Sequence, residues 1–143
     1  MKTVRTRKIA FLLATLLALA AIATPQLRAL LKAGGVLVVV NNFGRQMNDG
    51  IDKLWGRKKS SSVKTKVVPI FTVGIGSSSA VGAAQVMGPP NAVDKVVAVA
   101  QPEAKFMGEL RMRALIPVSS RNVIEDIRVV DGVGVSGIID IKL

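Results

Sequence analysis

ELRMRALI, residues 109–116, alternates: Leu110, Met112, Ala114 and Ile116 point one way, Glu109, Arg111 and Arg113 the other. A period of two predicts a β-strand with one buried and one charged face. Two arginines two residues apart on the charged face could contact an anion, and a cross-strand ion pair is the commoner use of such a pattern. Downstream, Ser119 or Ser120 is placed to cap a helix over NVIEDIRVV, residues 122–130, with Val123, Ile124, Ile127 and Val130 as its apolar stripe. Asp131-Gly132 then marks a turn, and VGVSGIIDIKL, residues 133–143, reads as a closing strand.

Upstream, VVPIFTVGI from Val67 is β-rich, although Pro69 assigns it to an edge or a bulge. GSSSAVG is a turn, and AVGAAQVMG, residues 80–88, makes a second strand. After Pro89-Pro90-Asn91, the stretch AVDKVVAVAQ predicts a short helix, with Val93, Val96, Val97 and Ala100 inward, ended by Pro102. The order from Val67 is thus strand, strand, helix, long strand, helix, strand. Two strand–helix–strand units in tandem predict an α+β, ferredoxin-like sandwich over residues 67–143. Its helix–DGVG–strand ending resembles the ACT-like and metal-chaperone folds in architecture alone, for the Cys pair of the chaperones is absent.

Ahead of this unit, residues 24–56 read as a helical arm. Val36, Val40, Phe43, Met47, Ile51 and Leu54 recur at spacings of three and four, which places them on one helix face. Asn41, Asn42, Arg45, Gln46, Asn48, Asp49 and Asp52 fall largely off it. Gly34-Gly35 followed by VLVVV interrupts the pattern, because paired Gly and β-branched residues both weaken a helix. Gly56 supplies a stop. RKKSSSVKTK, residues 57–66, reads as an exposed basic linker.

The first 23 residues read as a secretory signal. Lys2, Arg5, Arg7 and Lys8 precede the apolar run from Ile9 to Ala23, and Ala21-Ile22-Ala23 places cleavage before Thr24. The alternative is an uncleaved anchor over residues 9–31, the run alone being short for a span of about 20 residues. In either case the bulk of the chain crosses the membrane, to the periplasm or the exterior.

Composition closes several chemistries. With no Cys and no His, the chain has no disulfide, no thiolate nucleophile, no imidazole base and no imidazole ligand for zinc. Neither cofactor nor metal is expected. Gly74, Gly76 and Gly82 miss the dinucleotide spacing, since Ser79 stands where a Gly is required, and no phosphate-loop Lys follows. Glu125 and Asp126 are neighbours that point about 100° apart on a helix, poorly placed to share a metal. Nothing local supports a dyad of Lys105 with Ser77, Ser78 or Ser79.

Charge is distributed unevenly. Residues 24–66 carry nine basic and two acidic side chains, whereas residues 67–143 carry seven of each. A cationic arm beside a neutral domain favours an anionic partner, either a lipid surface or an envelope polymer. Arg57, Lys58, Lys59, Lys64 and Lys66, with Trp55, are the candidate contacts, and Arg111 and Arg113 form a secondary pair. Nucleic acid is not expected, because the linker lacks interleaved aromatics for base stacking. Two dispositions of the arm follow: its apolar stripe lies on a membrane, or it packs on the domain. The expected function is that of a non-catalytic exported envelope protein. A self-assembling homo-oligomeric subunit is the alternative, and a hydrolase or transferase using carboxylates or a Ser–Lys pair stands behind both.

Overall fold

The computed structural model describes residues 35–73, 79–122 and 127–141, and over these the chain is a mixed α+β structure in which one long helix lies on a six-stranded sheet. Residues 35–55 form the helix, α1. It is followed by β1 (Lys64–Val73), β2 (Ala80–Gly88), α2 (Pro90–Val93), β3 (Ala98–Phe106), β4 (Leu110–Arg113), β5 (Ile116–Val118) and β6 (Gly134–Asp140). The strand order is β4-β3-β1-β2-β6, with β5 also on β3. The signal or anchor, residues 9–31, the Ser77–Ser78 part of the Gly-rich turn, and Glu125 and Asp126 lie outside the described residues.

The valines of α1 are helical against their own preference. Val36, Val39 and Val40 are buried, and Val36 and Val40 pack with Val67 of β1 and Ala83 of β2. Burying a valine gains about 1.5–3 kcal/mol, while its helix propensity costs at most about 0.7 kcal/mol relative to Ala, so packing decides. Left-handed glycines bound the element: Gly35 has φ +69° and Gly56 φ +67°. Met47 and Ile51 continue the contact, and the approach is close. A Cβ on Gly137 of β6 would stand 3.0 Å from Ile51 Cγ2.

The stripe nevertheless ends earlier than its periodicity suggested. Leu54 is 65% exposed, and the inward positions of the last turns are held by Asn48 and Asp52. Both meet Gln85 of β2, a fully buried side chain. The Gln85 amide donates to Asp52 Oδ1 at 2.8 Å and to Asn48 Oδ1 at 3.0 Å, and its carbonyl accepts from the Ser136 hydroxyl at 2.7 Å. Thr65 of β1 donates to Asp52 Oδ2 at 2.8 Å and accepts from Asn48 Nδ2 at 3.0 Å. Helix, first strand, second strand and last strand are joined at this point.

The opposite sheet face holds a second core of Val68, Ile70, Ala84, Val86, Val93, Val96 and Val99. Several expectations are corrected here. Of the helix anticipated over residues 92–101 only Ala92 and Val93 are helical, in α2, and from Ala98 the chain is β3. Ala98, Val99 and Ala100 are buried on both faces, and β3 runs parallel to β1, the setting in which strands become continuous apolar runs. Pro102 lies within that strand, opposite Val73. β1 is a central strand, not an edge; Pro69 is accommodated because the β3 ladder starts only at Ile70, beside a register shift at Ile70/Phe71. Residues 127–130 are extended, since Val129 bridges Val118 and the Val130 N–H donates to the Pro117 carbonyl. Of the two crossovers expected of a ferredoxin-like unit, the described residues place helix in the first alone. Lys64, Thr65 and Lys66 open β1 rather than close a linker.

The strand anticipated over residues 109–116 is present as β4 and β5, with Ala114 and Leu115 between them. Both pair with β3 in one constant register, from Phe106↔Leu110 to Ala98↔Val118, and the Ala114 N–H bonds the Pro102 carbonyl across the gap. The anticipated buried face is absent from β4, all of whose residues are exposed.

Replacing Gln85 by Leu keeps the volume but removes the amide donor of Asn48 Oδ1 and the shortest contacts of Asp52 Oδ1 and the Ser136 hydroxyl. The variant should lose about 1–3 kcal/mol in urea unfolding, whereas Leu54→Ser should stay within about 0.5 kcal/mol of the parent.

Candidate anion-binding cleft

Below Ile70, β1 has β2 on one side and, among the described residues, no strand on the other. Alternate backbone groups there point away from β2 with no ladder to receive them. Around this gap the polar face of α1, the loop after Gly56, the start of β1 and the region of α2 enclose a cleft of about 980 Å³. The left-handed Gly56 turns the chain sharply off the helix, so the loop runs back over the sheet. Arg45, Arg57, Lys58, Lys59, Lys64, Lys66 and Arg121 line the cleft, against Asp49, Asp52 and Asp94.

Three of these cations are committed. Arg57 pairs with Asp52 at 3.5 Å, lies 3.5 Å from the Gln85 carbonyl and stacks over Trp55 at 4.9 Å from the ring centroid. Lys64 pairs with Asp94. Lys66 donates from Nζ to the Val96 carbonyl at 2.7 Å, spanning the gap between β1 and the segment after α2. Burial pushes its pKa below the ordinary 10.5; Asp94 raises it in part and Lys64 lowers it further. Arg45, Lys58, Lys59 and Arg121 make no ion pair among the described residues. Lys58 and Lys59 are exposed and can turn toward a ligand.

All five basic residues singled out between Arg57 and Lys66 therefore converge on one cleft. Trp55 does not line it. Its ring is 60% exposed, its indole N–H donates to the Ser136 carbonyl at 3.0 Å, and its face carries Arg57. Arg111 and Arg113 lie elsewhere, on β4, where both share Glu103 of β3 at 3.0 and 3.7 Å. This is the cross-strand ion pair weighed as the commoner use. Arg45 and Arg121 escaped the sequence, since neither belongs to a local cluster. Gln85 carried a faint signal, as the one polar residue between apolar neighbours in AVGAAQVMG.

The arrangement offers a diffuse positive field with fixed and mobile donors, suited to holding an extended anion. Asp52 is held by Gln85, Thr65 and Arg57, a structural engagement. Among the described residues no cluster of acidic side chains is placed to hold a metal ion, and no helix is long and apolar enough to cross a membrane. Comparison with protein families, with curated proteins and with solved structures finds no match, so function rests on this geometry.

The lowered pKa of Lys66 has a signed consequence. Between its folded value and the unfolded 10.5 the unfolded chain binds the extra proton, so stability rises with pH across that window. Below the window the penalty for a buried charge is complete. In Lys66→Met this rise should vanish, leaving a flatter alkaline profile in urea midpoints measured from neutral pH to about 10.5; parallel profiles would assign the slope to other groups.

Proposed function

We propose that this chain is an exported, non-catalytic binding module of the cell envelope that holds an anionic envelope polymer in the cleft beside β1. One observation carries the proposal: among the described residues, seven cations against three carboxylates line a cleft of about 980 Å³, with Lys58 and Lys59 in no ion pair. Export is supported by the cationic start, the apolar run from Ile9 to Ala23 and the small residues before Thr24. A repeating phosphate or carboxylate backbone fits a field spread over several cations better than a single small anion does, because its charges engage several lysines at once.

The packing of α1 favours a polymer over the membrane-embedded arm. Val36, Val40, Met47 and Ile51 are spent on the sheet, so the helix has no continuous apolar face left to insert. Its exposed side meets solvent with polar and charged groups, apart from Leu54 and Trp55 at the end.

Binding to inorganic polyphosphate, used as a polyanion probe, should weaken steadily with added salt. Lys58→Glu/Lys59→Glu should lower affinity by about tenfold or more, at roughly 1 kcal/mol per surface charge in such a field, without moving the urea midpoint. Equal binding by the parent and the double variant would reject the cleft as the site. Binding confined to anionic vesicles would reassign the cleft to lipid headgroups.

A further inference from the structure

β3 does not stop where β1 stops. Pro102 stands opposite Val73, and the strand continues to Phe106 before turning back as β4. Residues 103–113 thus form a finger with no other strand beside it among the described residues, and every one of them is exposed. Its register sorts the side chains. Ala104↔Met112 and Phe106↔Leu110 lie on one face, whereas Glu103↔Arg113 and Lys105↔Arg111 lie on the other. Phe106, Leu110 and Met112 are 47%, 58% and 52% exposed, and Met107 at the tip is 78% exposed. Single exposed apolar residues are ordinary; four contiguous ones on a projecting finger are not. Met107 also holds φ +46°, a left-handed conformation more cheaply occupied by Gly or Asn.

The finger's position names its partner. Leu37, near the start of α1, packs on Phe71, Ala98 and Ala100, while Asp52, near its end, bonds Thr65 at the start of β1. The helix therefore runs antiparallel to β1, and its first residues lie at the same end of the sheet as the finger. By parity with Ala98 and Ala100, the apolar face of the finger is on the side of the sheet that carries α1. Residues 1–34, with the apolar run from Ile9 to Ala23, join the domain at this end. The cationic cleft lies at the other end, roughly 40 Å away at about 3.3 Å per strand residue.

The geometry points to a membrane-docking finger: Phe106, Met107, Leu110 and Met112 rest in the interface of an anionic phospholipid bilayer, while Lys105, Arg111 and Arg113 reach its headgroups. The finger meets the bilayer by its apolar face, as an amphipathic element does, so Glu103 stays on the solvent side with the charged face. Three cations against two carboxylates give it the charge that anionic lipid attracts, and the long cationic side chains can extend to the headgroup level. Where the run from Ile9 to Ala23 is kept as an anchor rather than cleaved, it would enter the same bilayer from this end of the domain. The domain would then be held at the membrane by this end, with its polymer cleft at the far end of the sheet. This inference concerns a different site from the cleft, and either can fail alone.

The chain contains no Cys, so Met107→Cys and Lys58→Cys each accept one environment-sensitive fluorophore in the full-length protein. On vesicles of phosphatidylglycerol and phosphatidylcholine carrying a quencher on the acyl chain, the label at position 107 should be quenched at least about threefold more than that at 58. Adding Phe106→Ser and Leu110→Ser to the Met107→Cys chain should remove the difference, because two buried apolar side chains are lost from the interface. Equal quenching at 107 and 58 would overturn the inference. So would a label at 107 already shielded without lipid in a species of doubled mass, which would make the finger a contact between copies of this chain.

Discussion

The amide of Gln85 occupies the place where the helix, β1, β2 and β6 meet, and most of the architecture depends on its being satisfied there. It is fully buried in a region otherwise packed with Val and Ala, where an unpaired amide would cost several kcal/mol. Asn48, Asp52 and Ser136 supply its partners, and Thr65 completes the ring. Apolar packing alone would hold α1 near the sheet, but the valines of its first turns would tolerate small slides. The directional contacts of Asn48 and Asp52 set its register, and with it the path of the loop after Gly56. The basic cleft exists because that loop is returned over the open side of β1.

Charge and apolarity are thereby separated along the length of the sheet. At the end where β1 begins, Lys58, Lys59, Lys64 and Lys66 surround a gap left by the late start of the β3 ladder. At the other end, β3 and β4 run past the rest of the sheet and present Phe106, Met107, Leu110 and Met112. The helix between them is turned inward, so neither end borrows its apolar face. On the readings proposed above, such a domain bridges two environments, an anionic polymer at one end and a bilayer at the other.

Much of the fold was legible in the residues. β-branched density and the Asp131-Gly132 turn located β1, β2 and β6, and the apolar spacing located α1. The failures have particular causes. AVDKVVAVAQ has apolar residues at both helical and strand spacings, and burial on both faces of a parallel neighbour selected the strand. Residues 127–130 lost any helical preference to the backbone partners offered by Pro117 and Val118. ELRMRALI alternates as a buried-edge strand should, yet its apolar side faces out, since periodicity reports amphipathicity and not what lies opposite. Of the site, the cluster from Arg57 to Lys66 was visible as a run of charge. That it curls round a cleft with Arg45 and Arg121 depended on tertiary contacts such as Asp52 with Thr65, which local pattern does not encode.

The central claim is that α1 is a fixed part of the domain, held by the Gln85 cluster, and that the cleft is preformed as a result. Native-state hydrogen exchange of the α1 amides between Val39 and Asp52, compared with those of β1 and β2, tests it most directly. If the helix is locked, its slowest amides exchange with the same free energy as the central strands, by global unfolding. Fast exchange throughout α1 beside a protected sheet would show a detachable arm and contradict the account.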